Sequence, residues 1–357
     1  MQFLSCEAGG AAMARRVVAT TRYDWDGYSD ERLLALRFRD LRLTIKDTWL
    51  ERPRDELYES LERRGLRLKP HMWLSEEWFC PDGVPGFALP FYLAHPRLMQ
   101  LERRQMLEVE GGNLPWCTKL MRHEAGHAFQ NGFRLHRRKR WREVFGSSTR
   151  PYPESYQPRP ASKSFVLNLY SWYAQSHPAE DFAETFAVWL KPKAKWRRRY
   201  QGWPALKKLE YVDDLMESLK GVVPPVKTRR QVDSLGRNGT TLADYYCEKR
   251  ERYGTGFPDM YDRDLRRLFV DEGEGGTLER ASAFLRRNRR DIRGEVARWT
   301  GEYAFTLDQV FTHMIGRCRE LGLRVEGEEG QVRVEFAILL TVRTMQYLHT
   351  SRERIPL

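Results

Sequence analysis

The sequence predicts an α+β chain: a mixed N-terminal domain followed by a basic, mainly helical C-terminal region. Three observations carry that expectation. Apolar residues recur at helical spacing over much of the chain, as in residues 30–45 and 204–219. Two short apolar runs, residues 66–74 and 87–94, flank the turn-rich Cys-Pro-Asp-Gly-Val-Pro-Gly of residues 80–86 and read as strands. Two stretches rich in chain breakers, residues 146–163 with four prolines and residues 221–239 with Val-Val-Pro-Pro-Val, interrupt the pattern.

Taken in order, residues 1–24 are Ala/Gly-rich and then basic, and are expected to be a flexible terminus. A domain is expected over residues 25–222, a linker over 223–239 and the basic helical region over 240–357. Leu33, Leu34, Leu36, Phe38, Leu41, Leu43 and Ile45 suggest a first helix, and residues 53–64 a second that Gly65 stops. Gly111-Gly-Asn-Leu-Pro115 leads into a helix from Cys117 to about Phe133, and Pro178 opens another that reaches Leu190. Residues 331–348 suit either a strand or a buried helix, and no internal repeat is present.

The chain has 357 residues, 41% hydrophobic and 31% charged, which excludes a disordered polymer. No apolar stretch approaches the roughly 18–20 residues of a membrane span. Lys and Arg number 61 against 49 Asp and Glu, so the net charge of +12 favours anionic partners without choosing among them. Cys6, Cys80, Cys117, Cys247 and Cys318 are far apart and odd in number, which argues against a cysteine zinc site or a disulfide framework. The start, MQFLSCEAGG, has neither a cationic segment nor an apolar one behind it. No signal peptide is expected, and the expected compartment is the reducing cytoplasm.

Chemistry concentrates in residues 120–129, Leu-Met-Arg-His-Glu-Ala-Gly-His-Ala-Phe. His123 and His127 are four apart, so a helix sets both imidazoles on one face within reach of one tetrahedral zinc ion. Glu124 lies between them, where a carboxylate can take a proton from a water at the metal. Catalytic zinc takes a third protein ligand. The metzincin pattern would need Gly and His three and six residues after His127, but Gln130 and Phe133 stand there. The obvious donor is His177-Pro-Ala-Glu180-Asp-Phe-Ala-Glu184, whose glutamates again share a helix face. Spacing alone leaves Glu180, Asp181 and Glu184 in play.

These two motifs together resemble the gluzincin metallopeptidases, and more closely the putative zinc-binding metallopeptidase family of bacteria. The resemblance covers residues 25–220 and implies a zincin-like metallopeptidase domain. Carried over by position, it implies Zn²⁺ held by His123, His127 and Glu180, with Glu124 as general base. Glu184 becomes the partner that orients a zinc histidine. Lethal-factor-like gluzincins carry a tyrosine upstream of the zinc glutamate, which makes Tyr173 the expected donor to the oxyanion and His177 the second candidate. Ordinary packing would equally account for Tyr173, and a helix start for His177.

The implied activity is hydrolysis of a peptide or protein substrate. Arg134, Arg137, Arg138, Lys139, Arg140 and Arg142 follow the first motif; Lys191, Lys193, Lys195, Arg197, Arg198 and Arg199 follow the second. If both flank one cleft, acidic peptides are the expected substrates; otherwise they are solvated faces. Interleaved Trp141 and Trp196 would also suit nucleic acid, which is not favoured, since no DNA-binding motif is present. Residues 87–94 are either a sheet edge that holds substrate by strand addition or an ordinary core strand. The competing class is a binding module stabilised by a structural zinc, which would require a fourth protein ligand such as His177.

Overall fold

Ser29 opens the first helix among the described residues: its Oγ accepts from the N–H of Arg32, starting α1 (Asp30–Leu34). The helical spacing of residues 30–45 does not continue as one helix. A single 3₁₀ turn, Phe38–Leu41, follows, and Arg42 and Asp47 take left-handed backbone (φ 50° and 61°) that no helix can pass through. Leu33, Phe38 and Leu41 still reach the core, so the apolar spacing marks burial along an irregular path.

The structure, a computed structural model, describes residues 23–153, 155–156, 159, 162–169, 172–253, 261–271, 278–350 and 355–356. Most of the expected flexible terminus, Cys6 and parts of the proline-rich loop lie outside the described residues. The fold is mostly helical with a small two-stranded parallel sheet, compatible with α+β. After α2 (Glu51–Arg63) come β1 (His71–Ser75) and β2 (Gly86–Pro90), in register from His71 opposite Gly86 to Ser75 opposite Pro90. All five β2 residues are buried, and on its other side the Ala88 N–H donates to the Phe79 carbonyl at 2.8 Å. Residues 87–94 thus begin as an ordinary core strand and end in a 3₁₀ turn, Phe91–Ala94, and do not present a free edge.

The helices α3 (Pro96–Met106), α4 (Leu114–Gly132), α5 (Lys139–Phe145), α6 (Pro178–Leu190), α7 (Trp196–Arg199) and α8 (Ala205–Glu217) complete the site-bearing unit. Between α5 and α6 lies β3 (Ser155–Tyr156). The segment expected as a linker is laid along this unit. Trp73 Nε1 donates to the Val232 carbonyl at 2.8 Å, and Ser75 Oγ to that of Asp233 at 2.6 Å. Next comes α9 (Leu242–Tyr253), whose Leu242, Tyr245 and Tyr246 join the same core.

A second core gathers α10 (Asp262–Leu268), α11 (Ala281–Thr300), α12 (Ala304–Glu320) and α13 (Glu329–Thr350). The ambiguous stretch 331–348 is therefore helical. A final two-residue strand, β4 (Ile355–Pro356), pairs antiparallel with β3. Along the chain the first core runs to Tyr246 and the second begins at Tyr261, with Phe305 of α12 joining the first; Pro and charge content mark surface chain whether or not it is packed. No helix among the described residues is long and apolar enough to cross a membrane.

Candidate metal centre

Two helices build the site, and the N-terminus of each is specified locally. Asn113 caps α4, its Oδ1 accepting from the Trp116 N–H at 3.0 Å, with Pro115 in the first turn. His177 caps α6 through Nδ1, which accepts from the Ala179 N–H at 3.1 Å, and Pro178 follows. The helices run antiparallel, so that His123 meets Glu184 while His127 meets Glu180. Gly126 makes this approach possible: a Cβ there would lie 2.8 Å from the Cα of Ala183.

His123 Nε2, His127 Nε2 and Glu180 Oε2 form a nearly equilateral triangle with edges of 3.1, 3.1 and 3.0 Å. Tetrahedral zinc bonds of about 2.0–2.1 Å imply ligand separations of roughly 3.3 Å, so the triangle is close to a zinc-sized triad. The donor set supports the same fit. Glu184 Oε1 accepts from His123 Nδ1 at 2.8 Å, which leaves the Nε2 lone pair of His123 facing a carboxylate oxygen. Lone pairs at such distances repel unless a cation stands among them. His123, His127 and Glu180 are a group that can hold a metal ion.

The three carboxylates left open by spacing have separate surroundings. Glu184 is fully engaged: besides His123, its Oε1 accepts from Asn168 Nδ2 at 2.7 Å and its Oε2 from the Leu169 N–H at 2.6 Å. Asp181 faces away from the triad, and its Oδ2 pairs with Lys208 Nζ at 2.6 Å. Glu180 alone turns one oxygen to both histidines, while its Oε1 accepts from the Tyr152 hydroxyl at 2.9 Å. Tyr152, on the proline-rich loop, is a site residue that sequence reasoning missed. A solvated loop of prolines carries no spacing that ties it to α6.

Glu124 is buried between the histidines, and its Oε2 has no hydrogen-bond partner among the described residues. Burial pushes its carboxyl above the ordinary range. Tyr173, in the 3₁₀ turn Tyr173–Gln175, has its ring centroid 5.7 Å from that of His123. Burial, then the carboxylates of Glu180 and Glu124, raise its phenol well above the usual value, so it stays a proton donor. His177 has a different place. With Nδ1 capping α6, its Nε2 bonds the Arg150 carbonyl at 2.9 Å, and its ring stacks on Tyr152 at 3.9 Å. Both nitrogens bond backbone groups, so in this structure His177 caps α6 and braces Tyr152, which matches the helix-start alternative.

The basic clusters stand at opposite ends of α6, because the first follows α4 and the second follows its antiparallel partner. A helix of 13 residues separates them by about 20 Å.

Residues 117–197 match the model of a family described as putative zinc-binding metallo-peptidase. That span contains the triad, Glu124, Glu184 and Tyr173. No curated protein and no solved structure matches the chain at a significant level.

Proposed function

We propose that this protein is a zinc-dependent peptidase, a hydrolase of peptide bonds in peptide or protein substrates. The observation that carries the reading is the triangle of His123, His127 and Glu180 with 3.0–3.1 Å edges, set beside the buried, unpartnered carboxylate of Glu124. The family match over the same residues supports hydrolysis as the reaction class. Bound at the triad, a zinc ion would supply Lewis acidity, polarising the scissile carbonyl and acidifying a water. Glu124 accepts the proton of the attacking water and passes it to the leaving amine. Tyr173 donates to the carbonyl oxygen as negative charge builds on it. Glu184, held by Asn168 and the Leu169 N–H, keeps the His123 ring oriented.

A purely structural zinc would call for a fourth protein ligand. Among the described residues the metal-capable group has three members, and the nitrogens of His177 are engaged elsewhere, which favours catalysis. Cys80, Cys117, Cys247 and Cys318 are unpaired, which supports the reducing cytoplasm as the compartment.

Metal analysis with unbiased peptide profiling of wild type and Glu124→Gln tests the proposal. One zinc per chain in both proteins, with cleavage by wild type alone, is the expected result. Equal cleavage by Glu124→Gln would overturn the mechanism.

A further inference from the structure

A cavity of about 990 Å³ lies beside the metal centre and has no part in the chemistry proposed above. One wall is a stripe of α4, with Pro115, Thr118, Lys119 and Arg122 at helical spacing, and the other is the segment after α6 with α7. Six cations line it: Lys119, Arg122, Lys191, Lys193, Lys195 and Arg199. The lining's single carboxylate, Glu56, is paired with Arg52 at 3.1 Å. The N-terminus of the 19-residue α4 opens into the same space and adds positive potential.

Arg122 is the decisive residue. It is only 8% exposed, and among the described residues it has no hydrogen bond or ion pair; its Nε is buried and unpartnered. A guanidinium held this way is costly without an anion.

We infer that this cavity is a binding site for a small, multiply charged oxyanion of the phosphate class, with Arg122 as the buried anchor. Arginine forks match phosphate oxygens, and six cations around one concavity suit a chain of linked phosphates better than a single carboxylate. The volume is that of a small-molecule pocket. Asn168 lines the cavity and also donates to Glu184, so the site adjoins the support of His123 without sharing any metal ligand.

The test is calorimetric titration of the purified full chain with inorganic tripolyphosphate. Saturable binding of one anion per chain is expected. Arg122→Met, and separately the exposed triple variant Lys191→Ser/Lys193→Ser/Lys195→Ser, should each weaken it by about tenfold or more. Arg122→Met should also leave the melting temperature of the unliganded protein unchanged or raised, since it removes an unpaired buried charge. The distant triple Arg137→Ser/Arg138→Ser/Lys139→Ser should bind like wild type. Adenosine triphosphate binding more tightly than tripolyphosphate would identify a nucleotide as the source; equal affinity would point to a free phosphate chain. Undiminished binding in both cavity variants would overturn the proposal. So would loss of binding in Glu180→Gln, which would place the anion at the metal triad, or equal competition by a glutamate peptide of matched charge. Duplex DNA binding that all three basic variants weaken alike would assign the cations to a nucleic-acid surface instead.

Discussion

Gly126 and Ala183 bring the backbones of α4 and α6 close together: a Cβ on Gly126 would come within 2.8 Å of the Ala183 Cα and 3.2 Å of its carbonyl oxygen. That contact lies between the two pairs His123–Glu184 and His127–Glu180, so it sets the distance across which the triad closes. Elsewhere in a helix, replacing Gly with Ala stabilises by roughly 0.5–1 kcal/mol. Here Gly126→Ala should push the helices apart, cost about 1–3 kcal/mol and weaken zinc binding. Thermal melts and competitive zinc titration check this. A variant that melts higher and binds zinc normally would show that the helices have room to spare.

The carboxylates should separate by effect. Glu180→Ala should strip or greatly weaken the metal. Glu184→Ala should leave a site weakened by about 10–100-fold, because it orients His123 without taking the ligand position. His123→Ala and His127→Ala should behave like Glu180→Ala. Reversal of the two glutamate variants in a zinc titration would reverse their roles.

Tyr173→Phe should lower kcat by about 100-fold or more while leaving zinc content and melting temperature intact, as removal of an oxyanion donor does. Steady-state kinetics on a profiled peptide would read this. An unchanged kcat would return Tyr173 to packing.

His177 should register in stability. His177→Ala removes the cap of α6 and should cost about 1 kcal/mol, and His177→Asn should restore most of it, since asparagine caps well. Denaturant midpoints separate these outcomes from any catalytic effect. A kcat loss in His177→Asn with full stability would contradict the capping role.

Glu110 should impose a pH dependence on stability. Burial, then the nearby Glu77, raises its pKa from 4.5 to about 8. Between those values the folded chain holds a proton that the unfolded chain has lost. The contribution of Glu110 to stability is therefore greatest below about 4.5 and falls as pH rises toward about 8. Glu110→Gln should flatten that slope and melt higher than wild type at pH 8. Parallel curves for the two proteins would show that Glu110 titrates normally.

What the sequence determined by itself was local. Four-residue spacing puts His123 beside His127 and Glu180 beside Glu184 because a helical turn is made by neighbouring residues, whatever surrounds it. Helix α6 begins at Pro178 and ends at Leu190, as its cap and apolar pattern predict. The strands β1 and β2 fall within or beside the two extended runs, since the intervening turn residues leave little choice. The same kind of pattern overreached at residues 30–45, where apolar spacing fitted a helix that left-handed Arg42 and Asp47 interrupt. Tertiary structure decided everything that depends on distant segments meeting. Gly126 against Ala183 brings the two motifs to hydrogen-bond distance, Lys208 draws Asp181 away, and Tyr152 arrives from a loop with no periodicity. Antiparallel packing also parts the two basic clusters and leaves Arg122 buried, its Nε without a hydrogen-bond partner among the described residues. Burial and pairing are properties of the packed chain, and spacing within one helix carries no record of what another helix will bring to it.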